Sequence, residues 1–139
     1  MKNQALSGFL VACIVLVASL STAIAARADS CDASRAQNLA RQGYSDLNQR
    51  RWSEAKQTAG SLIMLGQDCD QADIRIPAVV HSAYIGSAAL HGLGDDAKAA
   101  EGIKAGLMLL DVLQKSGEYK SLYDAMQPRF IALQRELKT

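Results

Sequence analysis

The 139-residue chain has few aromatic residues, no excess of either charge and no long apolar run. Aromatic residues make up 5% of the chain, which argues against a β-sandwich and against a base-stacking surface. The 15 basic and 14 acidic residues leave a net charge of +1, so no basic field is present to hold nucleic acid. The longest apolar run, residues 8–20, is shorter than the ~20 residues of a spanning helix. The 49% hydrophobic content is typical of one globular domain.

The first segment has the pattern of a secretory signal peptide. Lys2 precedes the apolar run, and two A-x-A patterns that end at Ala25 and Ala28 follow it. This order of charge, apolar run and small residues is typical of signals that are removed on export. We therefore predict a signal peptide over residues 1–28, cleaved after Ala25 or Ala28. The remaining domain, residues 29–139, is expected in the periplasm or outside the cell, without membrane insertion.

A lipid anchor is the alternative outcome for this segment. The stretch that ends at Cys13 resembles a bacterial lipobox, in which the cysteine is acylated. The apolar run continues past Cys13 through residues 14–17, where a lipoprotein usually turns polar. The sequence therefore favours simple cleavage over lipidation.

The first part of the predicted domain has the pattern of a helical hairpin. Small and apolar residues recur every three or four positions on both sides of a polar turn at residues 48–52, which predicts two helices. The positions concerned are Ala36, Leu39, Ala40, Gly43 and Leu47 before the turn, and Ala55, Ala59, Leu62, Ile63 and Gly66 after it.

Two cysteines remain after the predicted cleavage, and their positions suggest a bond. Cys31 lies 19 residues before residue 50 and Cys69 lies 19 residues after it, so a hairpin would place them side by side. Free thiols and a shared metal are the alternatives, but there is no C-x-x-C motif and no histidine near either cysteine. We predict a disulfide, which an exported chain with two cysteines favours. Closing this loop stabilises the fold by roughly 3–4 kcal/mol in the chain-entropy model.

The rest of the chain also predicts helices, so the expected fold is all-α with about five antiparallel helices in hairpins. No stretch shows the alternation of a half-buried strand. Pro77 suits the first turn of a third helix, and glycines and an aspartate at residues 92–96 suit its end and the start of a fourth. Gly117 predicts the end of the fourth helix. Pro128 lies inside the fifth predicted helix, and we expect a kink there or a break after Gln127.

Glycines inside the predicted helices indicate close helix packing. Glycine in mid-helix costs up to ~1 kcal/mol relative to alanine, so its presence predicts backbones that lie against each other. The glycines concerned are Gly43, Gly86, Gly102 and Gly106.

The spacing of small and aromatic residues resembles a degenerate tetratricopeptide repeat. Gly43 precedes Ala55 by twelve residues, with Trp52 at the turn between them, and Ser87 precedes Ala99 by the same twelve. The two alanines are 44 residues apart, whereas the family's period is about 34. A plain bundle of four or five helices is the alternative fold.

The resemblance implies a concave groove lined by the first helix of each pair. By position, the partner-binding residues would be Tyr44 and Asn48 from the first helix, and His81, Tyr84 and His91 from the third. Gln37, Ala40, Leu47 and Ala88 would lie beside them. At about 100° per residue, positions 81, 84, 88 and 91 fall within an arc of about 80° on one helix face.

The sequence indicates neither a metal site nor a catalytic centre. The two histidines lie ten residues apart, about 15 Å along a helix, so they cannot bind one metal ion. The acidic stretch at residues 68–73 lacks the glycine and the final glutamate of an EF-hand loop and is interpreted as a solvated loop. No catalytic, phosphate-binding or haem-attachment motif is present, so no cofactor is expected.

The sequence therefore predicts an exported, non-catalytic module that binds a protein or peptide in a tetratricopeptide-like groove. One alternative is a self-associating structural component of a cell-envelope or surface assembly. A third interpretation is a small ligand-binding protein or enzyme that uses the face of His81 and Tyr84.

Overall fold

The computed structural model describes residues 31–139 and shows an all-α fold. The expected signal peptide and Cys13 lie outside the described residues. No residue between 31 and 139 lies in a β-strand. The five helices are α1 (Ala33–Asn48), α2 (Trp52–Asp68), α3 (Ala72–Gly92), α4 (Asp96–Ser116) and α5 (Lys120–Glu136). The predicted fold class, five helices in helical hairpins, is confirmed.

The helix ends follow local capping chemistry. Asp32 caps α1 by accepting a hydrogen bond from the Ser34 N–H at 2.8 Å, and Asp95 caps α4 by accepting one from the Lys98 N–H at 3.3 Å. Gly117 ends α4 with a positive φ of 72°, a conformation that favours glycine. The sequence predicted the ends near residues 92–96 and at Gly117.

Both prolines lie inside helices, so Pro77 is not in the first turn of its helix as predicted, whereas Pro128 lies inside the fifth helix, where the sequence placed it. Helix α3 begins at Ala72, five residues before Pro77, because the backbone N–H of Arg75 already bonds the carbonyl of Gln71 at 2.9 Å. Helix α5 continues through Pro128, so the predicted break after Gln127 does not occur. Met126 and Phe130, on either side of Pro128, are both buried, and their packing offsets the lost backbone hydrogen bond.

Helix α3 is the central element of the fold. It packs against α1, α2, α4 and α5, whereas α2 and α4 share no pair of Cα atoms within 8 Å in residues 31–139. One hydrophobic cluster joins α1, α2 and α3, and a second joins α3, α4 and α5. Tyr84 on α3 packs against both clusters.

The disulfide predicted from the hairpin geometry is confirmed. Cys31 and Cys69 are bonded, with their Cα atoms 4.8 Å apart, and tie the start of α1 to the end of α2. At the closed end of this hairpin the Asp46 carboxylate, 2% exposed, accepts hydrogen bonds from Arg51 at 2.5 Å and from Thr58 at 3.5 Å. Arg51 therefore ties the turn to α1 through this ion pair.

The predicted close helix packing is present, but side chains rather than backbones fill the glycine positions. A Cβ at Gly43 would lie 2.8 Å from Ile85, and one at Gly106 would lie 2.3 Å from the Phe130 ring. A Cβ at Gly102 would lie 2.3 Å from the Ser87 hydroxyl. Each glycine thus accepts a side chain from a neighbouring helix.

Candidate functional site

An open groove runs between α1 and α5, with α3 as its floor. Its volume is about 1060 Å³. All five predicted partner-binding residues line it, namely Tyr44, Asn48, His81, Tyr84 and His91. The two walls are separate helices, since α1 and α5 share no pair of Cα atoms within 8 Å in the described part of the chain. The structure therefore brings the predicted residues together on one surface.

A second cavity continues the same face toward the disulfide end. It has a volume of about 480 Å³ and lies between α1 and α3. Gln37 and Ala40, which were predicted beside the groove, line this cavity together with Tyr44 and His81. The two cavities therefore meet at the pair formed by Tyr44 and His81.

Side chains from all three helices meet at the centre of the groove. The Tyr44 hydroxyl lies 2.8 Å from His81 Nδ1 and donates a long hydrogen bond of 3.7 Å to Met126 Sδ. The Tyr84 ring packs edge-on against Phe130, with centroids 5.5 Å apart, and also lies 6.0 Å from the Tyr44 ring. The aromatic floor is thus fixed by the cores beneath it.

Burial shifts the titration of the central groups. It raises the pKa of Tyr44 to about 12, although the nearby Arg129 lowers that value. Burial also raises the pKa of Tyr84 above its ordinary value. Burial lowers the pKa of His81, and the positive charge of Arg129 lowers it further. The centre therefore holds neutral tyrosines and a neutral histidine near pH 7.

Arg129 brings a positive charge to the groove. Its guanidinium lies 5.1 Å from the centroid of the Tyr44 ring, within the range of a cation–π contact. Arg129 itself is exposed, and so is Glu136, which lines the groove two turns further along α5. The α5 wall thus presents both a cation and an anion to a bound molecule.

The opposite end of the groove is built from the first turn and the end of α3. Trp52 packs over Gly92, where a Cβ would lie 2.3 Å from the indole ring. His91 Nδ1 lies 2.7 Å from the Asp96 carboxylate. Asn48 is exposed at the end of α1. Trp52, expected to pack at the hairpin turn, therefore also forms part of the groove wall.

Sequence reasoning missed the contribution of α5, although a signal for it is present. The α3 residues 81, 84, 88 and 91 lie at intervals of three, four and three, as do positions 37, 40, 44 and 47, which are 44 residues earlier. The same spacing occurs again 45 residues after the α3 positions. The four residues at these positions all line the groove: Met126, Arg129, Leu133 and Glu136. The groove predicted from the sequence includes the first and third helices alone.

Within residues 31–139, one group of potential metal ligands occurs near the disulfide. The sulfurs of Cys31 and Cys69 and a carboxylate oxygen of Asp70 lie within 4.8 Å of one another. Because the two sulfurs are bonded to each other, they offer no thiolate to a metal ion.

None of the five described helices has both the length and the apolar character of a membrane span. No protein-family model matches the chain, and no curated protein or solved structure matches it either. Function is therefore inferred from the residues of the groove.

Proposed function

We propose that this chain is an exported, non-catalytic binding module that holds a segment of another protein in the groove between α1 and α5. The observation that carries the proposal is the residue content of the groove. It collects Trp52, Tyr44, Tyr84 and Arg129 on one concave surface. Trp, Tyr and Arg are the residue types that contribute most binding energy at protein interfaces.

The arrangement of the helices supports a tetratricopeptide-like mode of binding. The first, third and fifth helices line the groove together with Trp52 at the start of α2, whereas α4 supplies none of its lining residues. In tetratricopeptide arrays the first helix of each pair lines the concave surface. A helix or an extended peptide would lie along α3, with apolar side chains against the tyrosines and an acidic group near Arg129.

The signal pattern and the disulfide support export. The N-terminal order of Lys2, apolar run and A-x-A motifs is typical of secreted proteins, and the Cys31–Cys69 bond is typical of oxidising compartments. Mass spectrometry of the protein recovered from cells tests both points, since it reports the mature N-terminus and the loss of two daltons on bond formation. An intact residue 1–28 segment would contradict export by cleavage.

Affinity capture with matched variants tests the groove. We expect the wild-type protein to recover a partner from periplasmic or culture extract, and Arg129→Glu to weaken that recovery at least tenfold. Arg135→Glu is the control, because Arg135 is also an exposed arginine on α5 but does not line the groove.

A second matched pair tests the opposite wall. Asn48→Ala changes an exposed groove residue of α1, and Asn38→Ala changes an exposed asparagine of the same helix outside the groove. Recovery that falls for Asn48→Ala and not for Asn38→Ala supports the groove. Equal recovery by all four variants would show that the partner binds elsewhere.

A further inference from the structure

The outer face of α4 carries exposed apolar side chains on the side of the molecule away from the groove. Met108 is 63% exposed and Val112 is 61% exposed, although both lie in the middle of a well-packed helix. The buried residues of α4, such as Ile103 and Leu110, lie on the opposite side of the helix. Neither Met108 nor Val112 lines the groove, so the proposed function leaves this apolar surface without a role.

The charged residues before and after Met108 have opposite signs, so the charges of α4 would match those of a second, antiparallel copy of the helix. Lys104 lies four residues before Met108 and Asp111 lies three residues after it. Glu101 and Lys115 lie seven residues before and seven residues after it. A second α4 that runs antiparallel, with the two Met108 side chains opposite each other, therefore places each of these charges against its opposite.

The pairing of Lys104 with Asp111 also holds across the width of the helix, whereas Glu101 and Lys115 lie close to the centre, about 20° on either side of Met108. At about 100° per residue, Lys104 and Asp111 lie about 40° and 60° to one side of Met108. Ala105 and Val112 lie about 60° and 40° to the other side. The two-fold axis that exchanges the two helices passes between them and is perpendicular to both. It places each side of one helix next to the same side of the other helix. Opposite charges then meet on one side and apolar side chains meet on the other.

We propose that the outer face of α4 binds a second copy of this chain, as an antiparallel, two-fold symmetric helix pair centred on Met108. The observations that carry the proposal are the exposed side chains of Met108 and Val112 and the order of charges before and after Met108, which places opposite charges together in an antiparallel pair. Isologous two-fold contacts are the commonest form of protein self-association. A contact made by one helix face is small, so the association is weak and depends on concentration.

This interface leaves the groove open in both copies. The residues that would form it lie on α4, and α4 supplies no residue to the groove lining. The pair would therefore present two grooves to a partner. The inference is independent of the proposed function, because a monomer could still bind in the groove and a dimer could form without any groove ligand.

Sedimentation of the purified protein over a range of concentrations tests the pair. We expect the wild-type mass to rise from one copy toward two as the concentration approaches about 1 mM, a range in which weak interfaces associate. Lys104→Asp places two acids opposite each other at both symmetric contacts, and we expect it to weaken association at least tenfold. The double variant Lys104→Asp, Asp111→Lys restores opposite charges, and we expect it to restore association.

Two aspartate variants, one at Met108 and one at Met64, test the apolar centre of the proposed contact. Met108→Asp brings two charges together at the symmetry axis and should abolish association. Met64→Asp changes a methionine on α2 that is equally exposed, at 62%, and should leave association unchanged. A strict monomer at every concentration overturns the proposal. Association that survives both Lys104→Asp and Met108→Asp overturns it as well, because the contact would then lie elsewhere.

Discussion

At the scale of single residues, glycine is used to make room for a neighbouring side chain. Gly106 lies under the Phe130 ring, which in turn supports Tyr84 in the groove. Gly60 also lies inside a helix, but a Cβ added there would meet no atom of another element within 4 Å. The two glycines therefore differ in the space around them.

Replacing these two glycines by alanine should have opposite effects on stability. We expect Gly106→Ala to lower the free energy of unfolding by about 1–3 kcal/mol, because the added methyl group meets an aromatic ring that cannot move freely. We expect Gly60→Ala to raise it by up to ~1 kcal/mol through helix propensity. Chemical denaturation measures both. A stabilised Gly106→Ala variant would contradict the tight contact.

His81 should make stability depend on pH in the acidic range. Burial and the Arg129 charge lower the pKa of His81 in the folded state, so the unfolded chain binds the proton more readily. The contribution of the neutral His81 ring to the free energy of unfolding is complete above pH 6.5, the ordinary pKa of histidine, and is lost as the pH falls below that value. The Tyr44 hydroxyl from α1 and the Arg129 charge from α5 both face this histidine.

We therefore expect His81→Gln to reduce the loss of stability between pH 7.5 and acidic pH. Urea denaturation at several pH values measures this change, and an NMR titration of the wild-type ring should give a midpoint below 6.5. A ring that titrates above 6.5 would contradict the burial described for His81.

At the scale of helices, the disulfide fixes the open end of the first hairpin. Breaking it frees the start of α1, the helix that carries Tyr44 and Asn48. We expect the double variant Cys31→Ser, Cys69→Ser to lose roughly 3–4 kcal/mol of unfolding free energy, since the bond closes a loop over a sequence separation of 38. A reducing agent should destabilise the wild type by a similar amount and leave the variant unchanged. Equal stability of variant and wild type would contradict the prediction.

The first hairpin was predictable because its signals are local. Apolar spacing, the polar turn and the equal distances of Cys31 and Cys69 from residue 50 all indicate the same pair of helices. The start of α3 five residues before Pro77 was not predicted, and Pro128 left a kink and a break open, because a proline indicates only the local cost of a helix. The packing of Met126 and Phe130 on either side of Pro128 is not visible in the local sequence.

The central position of α3 was harder to predict because part of its buried surface is polar. Ser82 and Ser87 are both buried, yet their hydroxyls donate to the carbonyls of Val79 and Ala83 in the same helix, at 2.9 and 2.7 Å. A serine satisfied in this way can be buried without a partner from another helix. The apolar residues of α3 alone therefore do not indicate how much of the helix is buried.

At the scale of the whole molecule, α3 joins two hydrophobic cores into one structure. Tyr84 packs against both clusters, so loss of either core weakens the other. We expect unfolding followed by fluorescence of Trp52, the only tryptophan, to coincide with unfolding followed by helical circular dichroism. Separate transitions would show that the first hairpin unfolds independently of α4 and α5.

The separation of the two groove walls has a mechanical consequence. Because α1 and α5 both pack against the central helix but belong to different hydrophobic cores, a bound segment that pushes them apart strains both halves of the protein at once. A segment that fits without spreading them instead holds both halves in place, and its binding energy adds to the stability of the entire chain. The affinity of a bound segment can therefore be measured as a rise in the melting temperature of the whole protein.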